Sequence, residues 1–168
     1  LRSLNNPGRN VAYVAKADNP YEVFIAKDKP RGDESYSQYN DLNGGFTIEN
    51  FDYRDLGFTN YANVTFSLES SPVDGDVYVT GGFNYWNLDQ TNKMYYDSAQ
   101  GLYTSKILMK QGWYDYQYLV KSPKVSATYF EGSHFETENF YEIFVYNRPF
   151  QPRADLLIGY IRLEMNPR

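Results

Sequence analysis

The sequence contains no cysteine, a single histidine, few methionines and no apolar run approaching a membrane-spanning helix. Without cysteine there is no disulfide framework, no thiolate metal site and no sulfur nucleophile. The apolar stretches fall short of the roughly 18 residues that a helical span needs, and the first residues are polar and Asn-rich rather than signal-like. Positive charge is also scarce. Sixteen Lys and Arg stand against 21 Asp and Glu, a formal net charge of −5, which removes the basis for attraction to a phosphate backbone. Nucleic acid is therefore not expected as a partner. No ten-residue stretch carries apolar residues at helical spacing.

What the sequence has in excess is aromatic: 18 Tyr and 11 Phe raise the aromatic share to 18% in a chain of 168 residues. Ordinary composition carries far fewer, and rings of this kind favour strands. The balance of 42% hydrophobic and 22% charged residues is that of a globular domain, and the length suits one substantial core or a sandwich with a smaller appended unit. The chain opens at Leu1 rather than at Met, so the expectation is a piece of a longer protein.

Turn residues punctuate the first fifty positions, at Asn6-Pro7-Gly8, Asn19-Pro20, Lys29 to Asp33 and Asn43-Gly44-Gly45, around short β-prone stretches such as Tyr21 to Ala26. From Tyr61 the pattern becomes strictly alternating. Val64, Phe66 and Leu68 face one way and Asn63, Thr65 and Ser67 the other, the period of a half-buried strand. A turn at Ser71 to Gly75 leads to Val77 and Val79, which suggests a hairpin with Asp76, Tyr78 and Thr80 on the outer side. Tyr103, Ser105, Ile107 and Met109 share a face, as do Tyr114, Tyr116, Tyr118 and Val120. Further strands are expected within Tyr141 to Tyr146 and Leu156 to Leu163, on either side of a Pro- and Arg-containing loop. Short strands with turn signals between them predict a β-sandwich.

The segment from Val77 to Trp86, with its Gly-Gly-Phe-Asn-Tyr-Trp end, and the later Gly112 to Tyr118 strand resemble the early-set immunoglobulin-like modules that include glycogen- and starch-binding domains. That resemblance implies an immunoglobulin-like sandwich in which Trp86 sits where a sugar-stacking tryptophan does. The chain departs from the sugar-binding pattern: Gln117 stands where those modules often carry a lysine, and Lys121 to Lys124 lacks their second tryptophan. A wider resemblance links Asn5 to Phe24, Leu108 to Val120, Glu131 to Phe150 and Ala154 to Tyr160 to the plug protein family of the type IX secretion system of Bacteroidota. It implies a periplasmic, outer-membrane-associated protein that binds the outer-membrane translocon and helps to close its idle pore.

The remaining polar residues give no reaction. His134, Glu136 and Glu138 share a side of an extended backbone, but one histidine with two solvated acids is a poor match to metal sets. Asp74, Asp76, Asp89 and Asp97 read as turn formers. No nucleophile elbow or phosphate-binding glycine loop is present, so neither catalysis nor a cofactor is expected.

The expectation is thus an all-β, immunoglobulin-like (early-set) sandwich at 56–168. A hairpin and loop region at 1–55 is appended to it as the end of a truncated upstream part, and the C-terminal strands complete the sheet. The expected role is non-catalytic binding of the translocon protein, with a glycan as the alternative partner. Trp86, Trp113, Arg148 and Arg153 are the expected contacts, since desolvated aromatics and arginines dominate protein interfaces.

Overall fold

A computed structural model describes every residue except Asp18, Asp33, 35–40, Arg54, Asp55, Glu138, Pro152, Pro167 and Arg168. Among the described residues, eleven strands and two short 3-10 turns make up the regular structure. The strands are β1 (Val11–Ala15), β2 (Tyr21–Ile25), β3 (Phe46–Thr47), β4 (Tyr61–Glu69), β5 (Asp76–Gly81), β6 (Tyr95–Asp97), β7 (Leu102–Lys110), β8 (Trp113–Tyr114), β9 (Tyr116–Lys121), β10 (Asn139–Asn147) and β11 (Leu156–Met165). The protein is an all-β sandwich, and among the described residues no helix is long and apolar enough to cross a membrane. The contacts divide it into one unit, Leu1–Glu34 with Gln38–Ser133, and another that takes in His134–Arg168.

In the first unit a five-stranded sheet of order β1-β2-β4-β7-β6 faces the β5–β9 pair. The alternation read from Tyr61 onwards is what builds this core: Val64, Phe66 and Leu68 of β4 are buried and meet Val77, Val79, Tyr118 and Val120 from the opposite layer. Phe130 and Met94 join the same cluster, with Tyr116 packed against it. On the outer face of β4, Asn63 donates to Glu22 of β2 at 2.8 Å, and Lys106 of β7 lies 2.8 Å from the same carboxylate. Polar residues thus bridge three strands on the side that the period of two turns to water.

Three expectations change in detail. The predicted β4–β5 hairpin does not form, because β4 pairs with β2 and β7 while β5 crosses to the other layer and pairs with β9. Tyr78 and Thr80 are buried rather than facing solvent. The chain after Trp86 folds over them, with Asn92 Nδ2 donating to the Val79 carbonyl at 2.8 Å and Met94 N to Val77 at 2.8 Å. The C-terminal strands do not complete the sheet; β10 and β11 pair with each other over their whole length. The N-terminal hairpin, in contrast, is β1–β2, appended to the sheet through parallel pairing of β2 with β4. The division at 55/56 is consequently not where the contacts divide the chain.

A half-buried polar cluster ties the 28–31 and 130–132 segments to β9. Asp28 Oδ2 accepts from the hydroxyls of Tyr116 at 2.9 Å and Tyr118 at 2.6 Å. Glu131 takes the Tyr118 backbone N–H at 2.9 Å and pairs with the Arg31 guanidinium. Burial pushes both tyrosine hydroxyls well above their ordinary titration range, and the Asp28 carboxylate beside them adds to the effect. Each hydroxyl is held in the protonated form that can donate.

Candidate docking surface

The glycine pair of Val77 to Trp86 is a steric requirement. A methyl group on Gly81 would lie 2.2 Å from the Asp115 carbonyl oxygen, and one on Gly82 would lie 2.6 Å from that of Gly45. Only a bare backbone lets β5, the 42–45 loop and the β8–β9 junction come this close. Asp115 then fixes the loop, its carboxylate accepting from Leu42 N at 2.7 Å and Gly44 N at 3.0 Å. Asn84 closes the turn, accepting from Gly81 N at 3.1 Å and donating to the Asn87 carbonyl at 2.8 Å.

Between these clamps the chain makes two successive left-handed residues, Tyr85 at φ 53° and Trp86 at φ 63°. Phe83 turns inward and stacks on Phe66 with ring centroids 5.7 Å apart. Trp86 lies against the glycine loop, its indole N–H donating to the Gly44 carbonyl at 2.8 Å and the residue as a whole 37% exposed. Tyr85 projects outward, 79% exposed. It meets Phe46 of β3 edge to face at 6.5 Å, and Phe46 stacks on Tyr114 of β8 at 5.6 Å. Tyr114 donates its hydroxyl to the Lys110 carbonyl, and burial, with Tyr61 nearby, raises its pKa to about 12. The outcome is an aromatic row, Tyr85–Phe46–Tyr114, resting on the core through Phe83.

Trp113 takes the opposite face of β8 from Tyr114, paired with Thr47. The Arg2 guanidinium lies 4.3 Å from the centre of its indole ring and 5.2 Å from that of Phe51, so its outer face is already occupied by a cation. Arg148 and Arg153 belong to the second unit. The Arg148 guanidinium makes two hydrogen bonds to Asp155, at 2.6 and 2.8 Å, across the turn between β10 and β11, and Arg153 is exposed in that turn. Trp86 is tied to Gly44 while Arg148 is tied to Asp155, so two of the four expected contacts spend polar groups internally. The residue that sequence reading passed over is Tyr85. The signal was present in its place between Asn84 and Trp86, where the Asn-capped turn leaves the intervening side chain no inward path.

The four acids considered above are spread among separate local roles. Asp74 pairs with Lys124 and Asp76 with Lys93, each at 2.7 Å. Asp89 caps Thr91 N at 2.7 Å and Asp97 caps Ala99 N at 2.9 Å. Among the described residues no group of three or more His, Cys, Asp or Glu side chains could hold a metal ion. Glu138 of the considered His134 set lies outside the described residues.

No family model and no curated protein matches the chain. It is similar to a crystal structure of a hypothetical protein from Parabacteroides merdae ATCC 43184, with a TM-score of 0.79 and 33% identity over 98% of this chain and 43% of that one. The chain therefore spans less than half the length of that protein.

Proposed function

We propose that the chain is a non-catalytic protein-binding module and that its first unit docks through the Tyr85–Phe46–Tyr114 row. The observation that carries this reading is Tyr85 itself: a large exposed side chain held outward by a glycine- and asparagine-braced turn, with two further rings behind it. Interfaces are enriched in such aromatic anchors, and a lone exposed aromatic gains little from being braced unless something covers it. The wider sequence resemblance supplies the partner class. In this reading the module is part of a periplasmic plug protein, associated with the outer membrane, that binds the translocon protein of the type IX secretion system and helps to close its idle pore.

Co-purification of the chain with that translocon protein tests the reading. Tyr85→Ala should leave thermal unfolding within about 0.5 kcal/mol, the usual range for a surface substitution. It should weaken recovery by a hot-spot-sized amount of about 2 kcal/mol, roughly 30-fold. Trp113→Ala should weaken it less, since the indole is already covered by Arg2. Unchanged recovery with Tyr85→Ala would place the contact elsewhere and sink the proposal.

The glycan alternative has its own test. Trp86 has its indole N–H engaged with Gly44 and one side of its ring against the loop, which leaves a poor stacking platform. Titration calorimetry with maltoheptaose should give a dissociation constant no tighter than about 1 mM, near −4 kcal/mol. A micromolar constant lost in Trp86→Ala would make the chain a carbohydrate-binding module instead.

A further inference from the structure

The two faces of the β10–β11 hairpin are chemically different. The register pairs Tyr141 with Leu163, Ile143 with Ile161 and Val145 with Gly159, with Met165 at the end of the same face. This face carries no charge, yet Tyr141, Ile143, Val145, Ile161, Leu163 and Met165 are each between 43 and 54% exposed. The other face exposes Phe140, Phe144 and Tyr160 to a similar degree but carries charges, each of them satisfied: Tyr160 donates to Glu142 at 2.6 Å, Arg162 covers the Phe140 ring at 4.1 Å and pairs with Glu164 at 3.6 Å, and Phe144 packs on Tyr160. A hairpin that satisfies its charges on one face and leaves the other uncharged, aliphatic and aromatic apart from Asn139 at its end, has been shaped to lie on something.

The edges point to what that is. Among the described residues β10 and β11, nine and ten residues long, pair only with each other, so neither outer edge has a strand partner among them. Proline and lysine, which commonly blunt such edges, occur in neither strand, and the register shift between Val145 and Tyr146 is the one irregularity in their pairing. A two-stranded hairpin is also marginal by itself in water. A covering helix would bury the apolar face but leave the edges open, whereas a sheet supplies both a facing layer about 10 Å away and strands for the edges. The similar Parabacteroides merdae chain has the room. Its match takes in 98% of this chain, hairpin included, and only 43% of its own length.

We propose that the apolar face of β10–β11 is the seat of a further β-layer, an uncharged aliphatic and aromatic sheet face carried on the same polypeptide outside these 168 residues. A tethered sheet covers the hairpin at any protein concentration, while a second copy does so only above its dimer dissociation constant. The inference is independent of the Tyr85 surface.

Site-specific photocrosslinking in the complete polypeptide, expressed from its own gene, tests it. The benzophenone amino acid p-benzoylphenylalanine replaces Ile143 or Val145 on the apolar face and Phe144 on the other, followed by denaturing electrophoresis and peptide mapping. The expected result is a product of monomer mass in which both apolar-face sites join a peptide outside residues 1–168, in yields at least about ten times those at Phe144. Two apolar-face sites guard against one substitution disturbing the fold. A product of twice the monomer mass would make a second copy the cover, and a heavier product with another protein would make the partner separate. Attachment within residues 1–168, or yields no higher than at Phe144, would mean that no further layer sits there. Each of these three results overturns the proposal.

Discussion

Raising the pH from about 10 to about 12 should remove about 5 kcal/mol of stability through Tyr116 and Tyr118 alone. Above the ordinary tyrosine value of 10.0 the unfolded chain releases these protons, while the folded chain retains them because burial, with Asp28 alongside, holds both hydroxyls higher. The unfolded state then binds fewer protons than the folded one, so stability falls with pH. Each group contributes roughly 1.4 kcal/mol per pH unit once the unfolded tyrosines are ionised, and less just above pH 10 where they are half ionised, so two groups over the two units give about 5 kcal/mol. Below about pH 9 both states are protonated and this contribution is flat. Urea unfolding at pH 9, 10, 11 and 12 reads the slope directly. The Tyr116→Phe and Tyr118→Phe double variant, which keeps the rings in the core, should flatten most of it. An alkaline slope identical in the double variant would show that the two hydroxyls ionise in the folded chain as easily as in the unfolded one.

Gly81→Ala should be the most damaging single-methyl substitution in the first unit, lowering stability by about 3 kcal/mol or more. The obstacle is backbone, with the Asp115 oxygen at 2.2 Å and the Tyr116 Cα at 2.9 Å from the added carbon. Overpacking against movable side chains costs about 1–3 kcal/mol, and here β9 itself must shift. A chain of this size loses about 2–4 °C of melting temperature per kcal/mol, so a fall of at least about 6 °C is expected. Gly101→Ala is the comparison. Gly101 has φ +66° with nothing within 4 Å, so an alanine there meets only the left-handed backbone penalty of about 1–2 kcal/mol. Equal melting temperatures for the two variants would remove the steric account of the glycine pair.

The sandwich was legible in the sequence wherever one face of a strand is wet. β4 alternates without a break because its outer face carries Asn63, Thr65 and Ser67, and the same rule sorts Tyr103 to Met109 and Tyr114 to Val120. It failed at β5, where Tyr78 and Thr80 look outward-facing until the 87–94 segment closes over them. A long-range cover leaves no local trace. Strand pairing was equally hidden: that β5 joins β9 rather than β4 is decided by layer packing across some forty residues, which a turn signal at Ser71 to Gly75 does not report. At the site, Gly81, Gly82 and Asn84 were readable as backbone devices. The choice of Trp86 and Trp113 as outer contacts took no account of what the folded chain lays against them, because the indole bond to Gly44 and the guanidinium of Arg2 depend on segments more than forty and one hundred residues away. Tyr85 escaped because exposure in a left-handed turn follows from φ, not from periodicity.

The paired left-handed residues at Tyr85 and Trp86 also bear on the kinetics of any complex they make. An ordinary surface tyrosine samples several orientations and loses that freedom when a partner holds it, at about 0.5–1.5 kcal/mol for an immobilised side chain. Here Asn84, Gly81 and the Gly44 carbonyl have already fixed the backbone on either side of the ring, so part of that entropy was surrendered on folding. The saving belongs to the bound state, and within one interface such differences fall mainly on dissociation. A partner seated on Tyr85 should therefore leave slowly for the area it covers, and loosening the turn with Asn84→Ala should shorten the lifetime of the complex while changing its rate of formation little.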